Sequence, residues 1–356
     1  MSRLKALMEK MRSEPYDAVI ITSPVNQRYI TDFDYTDGYV IVTKEKAFVL
    51  ADFRYIEAAK NTVSDEFEIL LLEGKRTEFV KNLLKQNGVR VLAYENKEMT
   101  CEEYNMLSDA LDGVAMLPAK KLFDSLRICK TEKELELMDK AQQITDAAFK
   151  HILDFIKPDM TEIEVALELE FFMRKNGSRG VAFDTICVSG SASALPHGVP
   201  RNVKLEKGFL TMDFGARYEG YCADMTRTVV LGKADEEMKK VYDTVLQAQE
   251  EALAAVRAGE IGADIDNIAR SIINNAGYRG CFGHGLGHGV GLYIHESPRL
   301  SPAADADKLE AGNVVTVEPG IYLEGKYGCR IEDMVAVTED GMRDFTKSPK
   351  EMIELF

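Results

Sequence analysis

Two pairs of acidic residues lie in apolar, strand-forming stretches where an isolated carboxylate is costly, and strand counting brings each pair together. Residues 210–231 read LTMDFGARYEGYCADMTRTVVL. Gly215 and Gly220 bracket a polar stretch between two β-rich arms, a hairpin signal. Folding about the midpoint of Tyr218 and Glu219 sets Asp213 opposite Asp224, on one face. Opposed Cβ atoms lie about 5 Å apart, so two carboxylates there repel unless a cation or a shared proton intervenes. Acidic pairs on hairpins are ordinarily solvated, but Met212, Phe214, Ala223 and Met225 mark this one as internal. The stretch 313–337, NVVTVEPGIYLEGKYGCRIEDMVAV, repeats the arrangement, with Glu318 and Glu332 each seven residues from Gly325. Val314, Val315, Val317, Ile331, Met334 and Val335 surround them. Carboxylates in such strands need a partner or a bound metal.

A third segment, GHGLGHGVGLYIHESPRL (283–300), carries three of the five histidines. His284 and His288 are four apart, a metal-binding spacing if helical. Five glycines alternating from Gly283 to Gly291 argue against a helix, each costing about 1 kcal/mol inside one. They predict instead a backbone packed closely against a neighbour, with the imidazoles projecting into a pocket. A phosphate-binding loop is the rival use of such glycines, but the GK[ST] ending is absent.

Four carboxylates (Asp213, Asp224, Glu318, Glu332) and the His288 imidazole make a hard, oxygen-rich donor set. It suits manganese, cobalt, iron or zinc and excludes copper as the preferred ion. Two divalent ions would cancel the four negative charges. Two ions about 3.5–4 Å apart, bridged by hydroxide, are the arrangement of two-metal hydrolases. The chemistry expected is hydrolysis by a metal-activated water.

These residues need a frame. The first third alternates helix and strand signals: Leu4, Leu7, Met8 and Met11 share one helical face, and strand-like runs follow at Ala18–Thr22, Tyr39–Val42, Lys46–Ala51, Phe67–Leu72 and Val89–Tyr94. This predicts a small α/β domain over residues 1–125 that concentrates no catalytic pattern. A second domain, 126–356, opens with Thr131 as N-cap and Glu134 completing a capping box. Further helices are expected at 161–175, 235–258 and 262–276, with strands at 181–188 and 209–230. The order helix–helix–strands occurs twice after residue 130, which predicts two similar halves facing each other. The fold class is therefore mixed α/β (α+β).

At 356 residues with a formal net charge of -15, the chain offers no basic surface for nucleic acid. Its six cysteines are dispersed, which excludes a clustered cysteine zinc site and fits a reducing compartment. No apolar run reaches the roughly 18 residues of a membrane span, and the first residues lack a signal-peptide pattern. A cytoplasmic location is the expectation.

The motifs MDFGARYEGYCADMTRT, GHGLGHGVGLYIHESP, VEPGIY and RIED together resemble the "pita-bread" metallopeptidases, the family of methionine aminopeptidase, aminopeptidase P and prolidase. The resemblance covers residues 130–345 and implies a domain of pseudo-twofold halves with metal ligands at Asp213, Asp224, His288, Glu318 and Glu332. No ligand is substituted, unlike the metal-free branches. His284, the Arg330-x-Glu332 pairing, and VNQRYITDF and DFRY in the first domain resemble the proline-directed members. The resemblance then implies an Xaa-Pro dipeptidase or aminopeptidase, a peptide substrate with proline second, a homodimer, and manganese as the expected ion with cobalt, zinc or iron as alternatives. It implies Glu318 as general base, His197 and His295 against substrate or the tetrahedral intermediate, His284 lining the pocket, and Arg330 on a carboxylate. Thr226 would support a ligand by a hydrogen bond. Arg299 resembles the prolidase arginine that meets the dipeptide's carboxylate, whereas Cys222, Cys329 and Tyr221 read as packing. A peptide-binding protein that kept the fold and lost catalysis is the alternative from another class.

Overall fold

The computed structural model describes residues 2–356, which form two compact units divided between Arg127 and Ile128. The first unit is a six-stranded sheet in the order Glu68–Leu71, Ala47–Ala51, Gly38–Thr43, Ala18–Ile21, Val91–Tyr94, Ala115–Pro118. Ala18–Ile21 is apolar throughout because it lies inside the sheet with both faces covered. Leu4, Leu7 and Met11 of the expected first helix, Arg3–Arg12, are buried. The strand Ala115–Pro118 and the helix Pro24–Thr31 were not expected. The helix follows Pro24 at its first turn, and the buried Glu95 carboxylate accepts the Ser23 N–H (2.8 Å) and the Asn26 side-chain amide there.

The second unit repeats one pattern twice. A 24-residue helix, Glu132–Phe155, and the helix Glu162–Lys175 precede the sheet built on Ile186–Ser189, Gly208–Phe214 and Met225–Leu231. The helices Glu236–Ala255 and Gly262–Ile273 precede the sheet built on Gly287–Gly289, Glu296–Leu300, Val314–Val317 and Asp333–Val337. Even a small detail recurs: isolated bridges Thr161↔Lys204 and Ile261↔Lys308 pin the start of each second helix. Capping boxes at Thr131 with Glu134 and Thr161 with Glu164 fix where the first pair begins, each satisfying two otherwise orphan donors.

Alternation along the strands sorts their side chains. Leu210, Met212, Phe214, Met225, Val229 and Leu231 pack with the first helix pair, while Val315, Val317, Val335 and Val337 pack with the second. The opposite faces, carrying Thr211, Asp213, Thr226, Thr316 and Glu332, are left for one another. The sheets join there: the Glu332 N–H donates to Thr226 O at 3.1 Å, and Thr228 Oγ1 donates to Arg330 O at 2.9 Å. Polar groups thus meet between two apolar cores. Among the described residues, no helix is long and apolar enough to cross a membrane.

Candidate active site

The first hairpin differs from its expected register. Asp213 pairs with Thr226 rather than Asp224, and the turn is Glu219–Gly220, closed by Tyr218↔Tyr221. Both turn residues have positive φ, 46° and 85°, the two-residue turn whose twist matches antiparallel strands. The centre therefore lies one residue further on, and the register shifts by two. Since side chains repeat every second residue, Asp224 stays on the face of Asp213 and Thr226 as a diagonal neighbour.

The second ribbon has the expected register. Val317↔Asp333 on one side and Gly320↔Arg330 on the other both centre on Gly325. Between them the ladder opens at Glu318 and Glu332. Their N–H groups turn to other segments, Glu318 to Leu286 O (2.8 Å) and Glu332 to Thr226 O. The carboxylates sit at this gap, where the backbone is satisfied from outside the ribbon.

His288 lies on the short strand Gly287–Gly289, with no helix, as the glycines required. A Cβ on Gly287 would come within 2.0 Å of Thr316 O, and one on Gly289 within 2.3 Å of Ser297 O. Gly285 and Gly291 are crowded less tightly and with side chains nearest, Ser301 Cβ at 2.8 Å and Glu296 Oε2 at 2.5 Å, whereas Gly283 is open. The imidazole is oriented by its own backbone: Nδ1–H donates to Gly289 O at 3.1 Å, which turns the Nε2 lone pair inward. That lone pair faces Asp224 Oδ2 at 3.6 Å and Glu318 Oε1 at 3.5 Å.

Such a cluster is unstable by its own charge. One donor atom each from Asp224, His288 and Glu332 lies within 4.8 Å of the others. Burial, and then the neighbouring acids, lift Asp224 and Glu332 well above the usual carboxylate range. Burial lifts Glu318 to about 8, against the pull of Arg330. His288 is pushed down to about 3 by burial and then by His295, so its ring is neutral. Asp213 Oδ2 accepts Arg330 Nη2 at 2.7 Å, but Oδ1 is buried with no hydrogen-bond partner. An unsatisfied carboxylate oxygen, a neutral imidazole lone pair and three acids whose charged forms burial disfavours would all be served by one bound cation centre. The residues fit divalent metal.

The family model for metallopeptidase family M24 matches residues 136–339, and that for the creatinase/prolidase N-terminal domain matches residues 3–129. The chain belongs to metallopeptidase family M24. It is similar to an Xaa-Pro dipeptidase from Bacillus anthracis, with 42% identity, 99% of each chain covered and a TM-score of 0.96. An X-Pro aminopeptidase from Thermotoga maritima is similar at 36% identity, covering 98% of this chain and 100% of that one, with a TM-score of 0.92. The Xaa-Pro dipeptidase of Pyrococcus furiosus is 37% identical over 99% of both chains. The expected fold class, a creatinase-type N-terminal domain and a pita-bread domain, is therefore the fold of this M24 metallopeptidase.

In this M24 peptidase a cavity of about 840 Å³ brings together the five candidate ligands with His197, His284, His295, Arg299 and Arg330. Its size suits a small peptide. His197, His295 and Arg299 are exposed in it. Burial lowers the His284 pKa to about 4, so that ring is also neutral. His284 Nδ1–H donates to Gly285 O (2.8 Å), and Nε2 accepts the Tyr322 hydroxyl (2.9 Å). Arg330 Nη1 in turn donates to the Tyr322 oxygen at 2.8 Å, and Nε to Thr226 Oγ1 at 2.9 Å. Thr226 passes the chain on, donating to Glu332 Oε2 at 2.6 Å. Cys222 and Cys329 are buried, and the Tyr221 hydroxyl donates to Glu134 Oε1 at 2.7 Å.

Two residues escaped the sequence reading. Tyr322 joins His284 to Arg330, and Thr316 Oγ1 donates to Glu318 Oε1 (3.2 Å) while accepting the His288 N–H (3.1 Å). Thr316 lies two before Glu318 on one strand face, a signal that was available; Tyr322 had none.

Proposed function

We propose that this peptidase hydrolyses Xaa-Pro dipeptides with two divalent ions held by Asp213, Asp224, His288, Glu318 and Glu332. Manganese is the expected ion, with cobalt, zinc or iron as alternatives. The observation that carries the reading is the convergence of four carboxylates and a neutral imidazole in one cavity, with Asp213 Oδ1 left unpartnered. When bound, the ions supply Lewis acidity to the scissile carbonyl and make water acidic enough to attack near neutral pH.

The chain's residues do the rest. Glu318, steadied by Thr316, accepts the proton of the attacking water. Its Oε2 lies 4.0 Å from His284 Nδ1, within the same polar pocket. His197 and His295 meet the oxygen on which charge develops. Arg330 holds Asp213 in place with one arm of its fork and Tyr322 with another. Arg299 receives the free carboxylate of the dipeptide, a pairing its planar guanidinium suits. That carboxylate separates a dipeptide from a longer peptide, and relatives named for each activity resemble this chain.

Assaying Ala-Pro beside Ala-Pro-Ala with manganese-loaded protein tests the reading. Faster turnover of the dipeptide is expected. Preference for the tripeptide would make it an Xaa-Pro aminopeptidase. No turnover of either, with manganese or cobalt, would favour a peptide-binding protein of the same fold. We also read the protein as a cytoplasmic homodimer, for which light scattering of the purified protein is the test of assembly.

A further inference from the structure

Arg227 takes no part in the cavity, yet it grips the frame that carries the acids. It is 1% exposed, and each of its five N–H donors has an acceptor. Nε donates to Pro349 O at 2.9 Å. Nη1 donates to Thr226 O at 3.0 Å and Glu332 O at 2.6 Å; Nη2 donates to Asp333 Oδ1 at 2.7 Å and Ser348 O at 2.8 Å. Thr226 O is also the acceptor of the Glu332 N–H. One guanidinium nitrogen therefore spans two carbonyls, one from each sheet, at the point where the sheets join.

The other end of the arrangement is anchored as firmly. Asp333 Oδ2 accepts Gln249 Nε2 at 2.7 Å and pairs with Lys350. Burial alone would raise Asp333, but Arg227 and Lys350 outweigh it and hold the carboxyl below its ordinary range. The segment 346–350 is tied to the leading helix of each half. Asp146 accepts the Ser348 N–H (2.9 Å) and hydroxyl (2.6 Å), and the Tyr242 hydroxyl donates to Lys350 O (2.8 Å).

We propose that Arg227, Asp333 and Lys350 are positioning residues, a clamp that fixes Glu332 against the Asp213–Asp224 hairpin and thereby sets the affinity for divalent cations that none of the three touches. The inference rests on the proposed function, in which these acids bind metal. Without Arg227 the Glu332 carbonyl would lose its donor at the joint, and Thr226 O would keep only the Glu332 N–H. Lysine at that position offers three donors from one point and cannot hold the two carbonyls together with Asp333 Oδ1, Ser348 O and Pro349 O, as the fork does.

Isothermal titration of chelator-stripped protein with manganese chloride tests this, alongside the unfolding midpoint of each protein in chelator. Uptake of two manganese ions per chain is expected for the parent. Lys350→Met should weaken manganese binding by about 10- to 100-fold, Arg227→Lys at least as much, and Lys350→Arg should restore it. A structural role alone would lower the chelated midpoint and leave manganese affinity within about twofold of the parent, which would overturn the clamp. Should Arg227→Lys fail to fold, Lys350→Met decides, since that side chain is 23% exposed. A parent that binds no manganese would instead overturn the proposed function, and the clamp with it.

Discussion

Burial and then the neighbouring acids, Asp213 among them, favour the protonated forms of Asp224, Glu318 and Glu332 when no cation is present. A raised carboxylate pKa means the native state binds more protons than the unfolded chain between the two pKa values. Stability then falls as pH rises through that window. For Glu318 the window runs from the ordinary 4.5 to about 8. In chelator, the unfolding midpoint should fall between those pH values, and the gain on adding manganese should grow over the same range. A midpoint that rose with pH would contradict the electrostatics. Asp224→Asn and Glu332→Gln each remove a charge without changing shape. Peptidase activity should fall at least about 1,000-fold, a loss of several kcal/mol of transition-state stabilisation, with the circular dichroism spectrum unchanged. Retention of most turnover by either variant would refute the ligand assignment. Arg330→Lys should lower kcat more than it raises KM, because one point charge cannot hold Asp213, Thr226 and Tyr322 together.

At the scale of elements, the close fit of Gly287 against the Thr316 carbonyl gives a sharper test than any charge change. Gly287→Ala forces the two strands apart, costing about 1–3 kcal/mol as overpacking does. Since His288 is the next residue, manganese affinity should drop along with the melting temperature; titration and thermal unfolding of the same preparation would show whether both move. The ribbon around Gly325 and both capped helices were legible in the sequence because each rests on contacts between near neighbours in the chain, and the Gly-His segment because its alternating glycines announce a close backbone approach whatever the partner. The register of the first hairpin was not. It depends on Glu219 adopting a positive φ, a conformation that polar stretches between glycines do not announce. Tyr322 was hidden because its partners, His284 and Arg330, reach it by tertiary packing. The 346–350 segment gave no signal either, since its partners Asp146 and Arg227 lie more than a hundred residues away. The edge strand Ala115–Pro118 ends in proline, which weakened its pattern.

Across the whole chain, each unit has a core of its own: Ile20, Ile41, Leu50 and Leu92 in the first, and the two helix-backed clusters in the second. Every candidate ligand belongs to the second. Calorimetry should therefore show manganese raising the transition of residues 128–356 and leaving that of the first 127 in place. At a free manganese concentration of a hundred times Kd, a stabilisation of about 2.7 kcal/mol per ion, about 5.4 kcal/mol for two, corresponds to roughly 10–20 °C for a unit of this size. An equal rise in both transitions would refute the assignment of the ions to one unit. The two-residue turn at Glu219–Gly220 leaves a further mark. Asp213 and Asp224 share a face through the parity of their positions along the arms, not through one fixed pairing. A single residue inserted within an arm would swing one acid toward the helices, while an inserted pair would return it to the cavity. Length variants of this hairpin that still hydrolyse peptides should therefore differ in their arms by even counts.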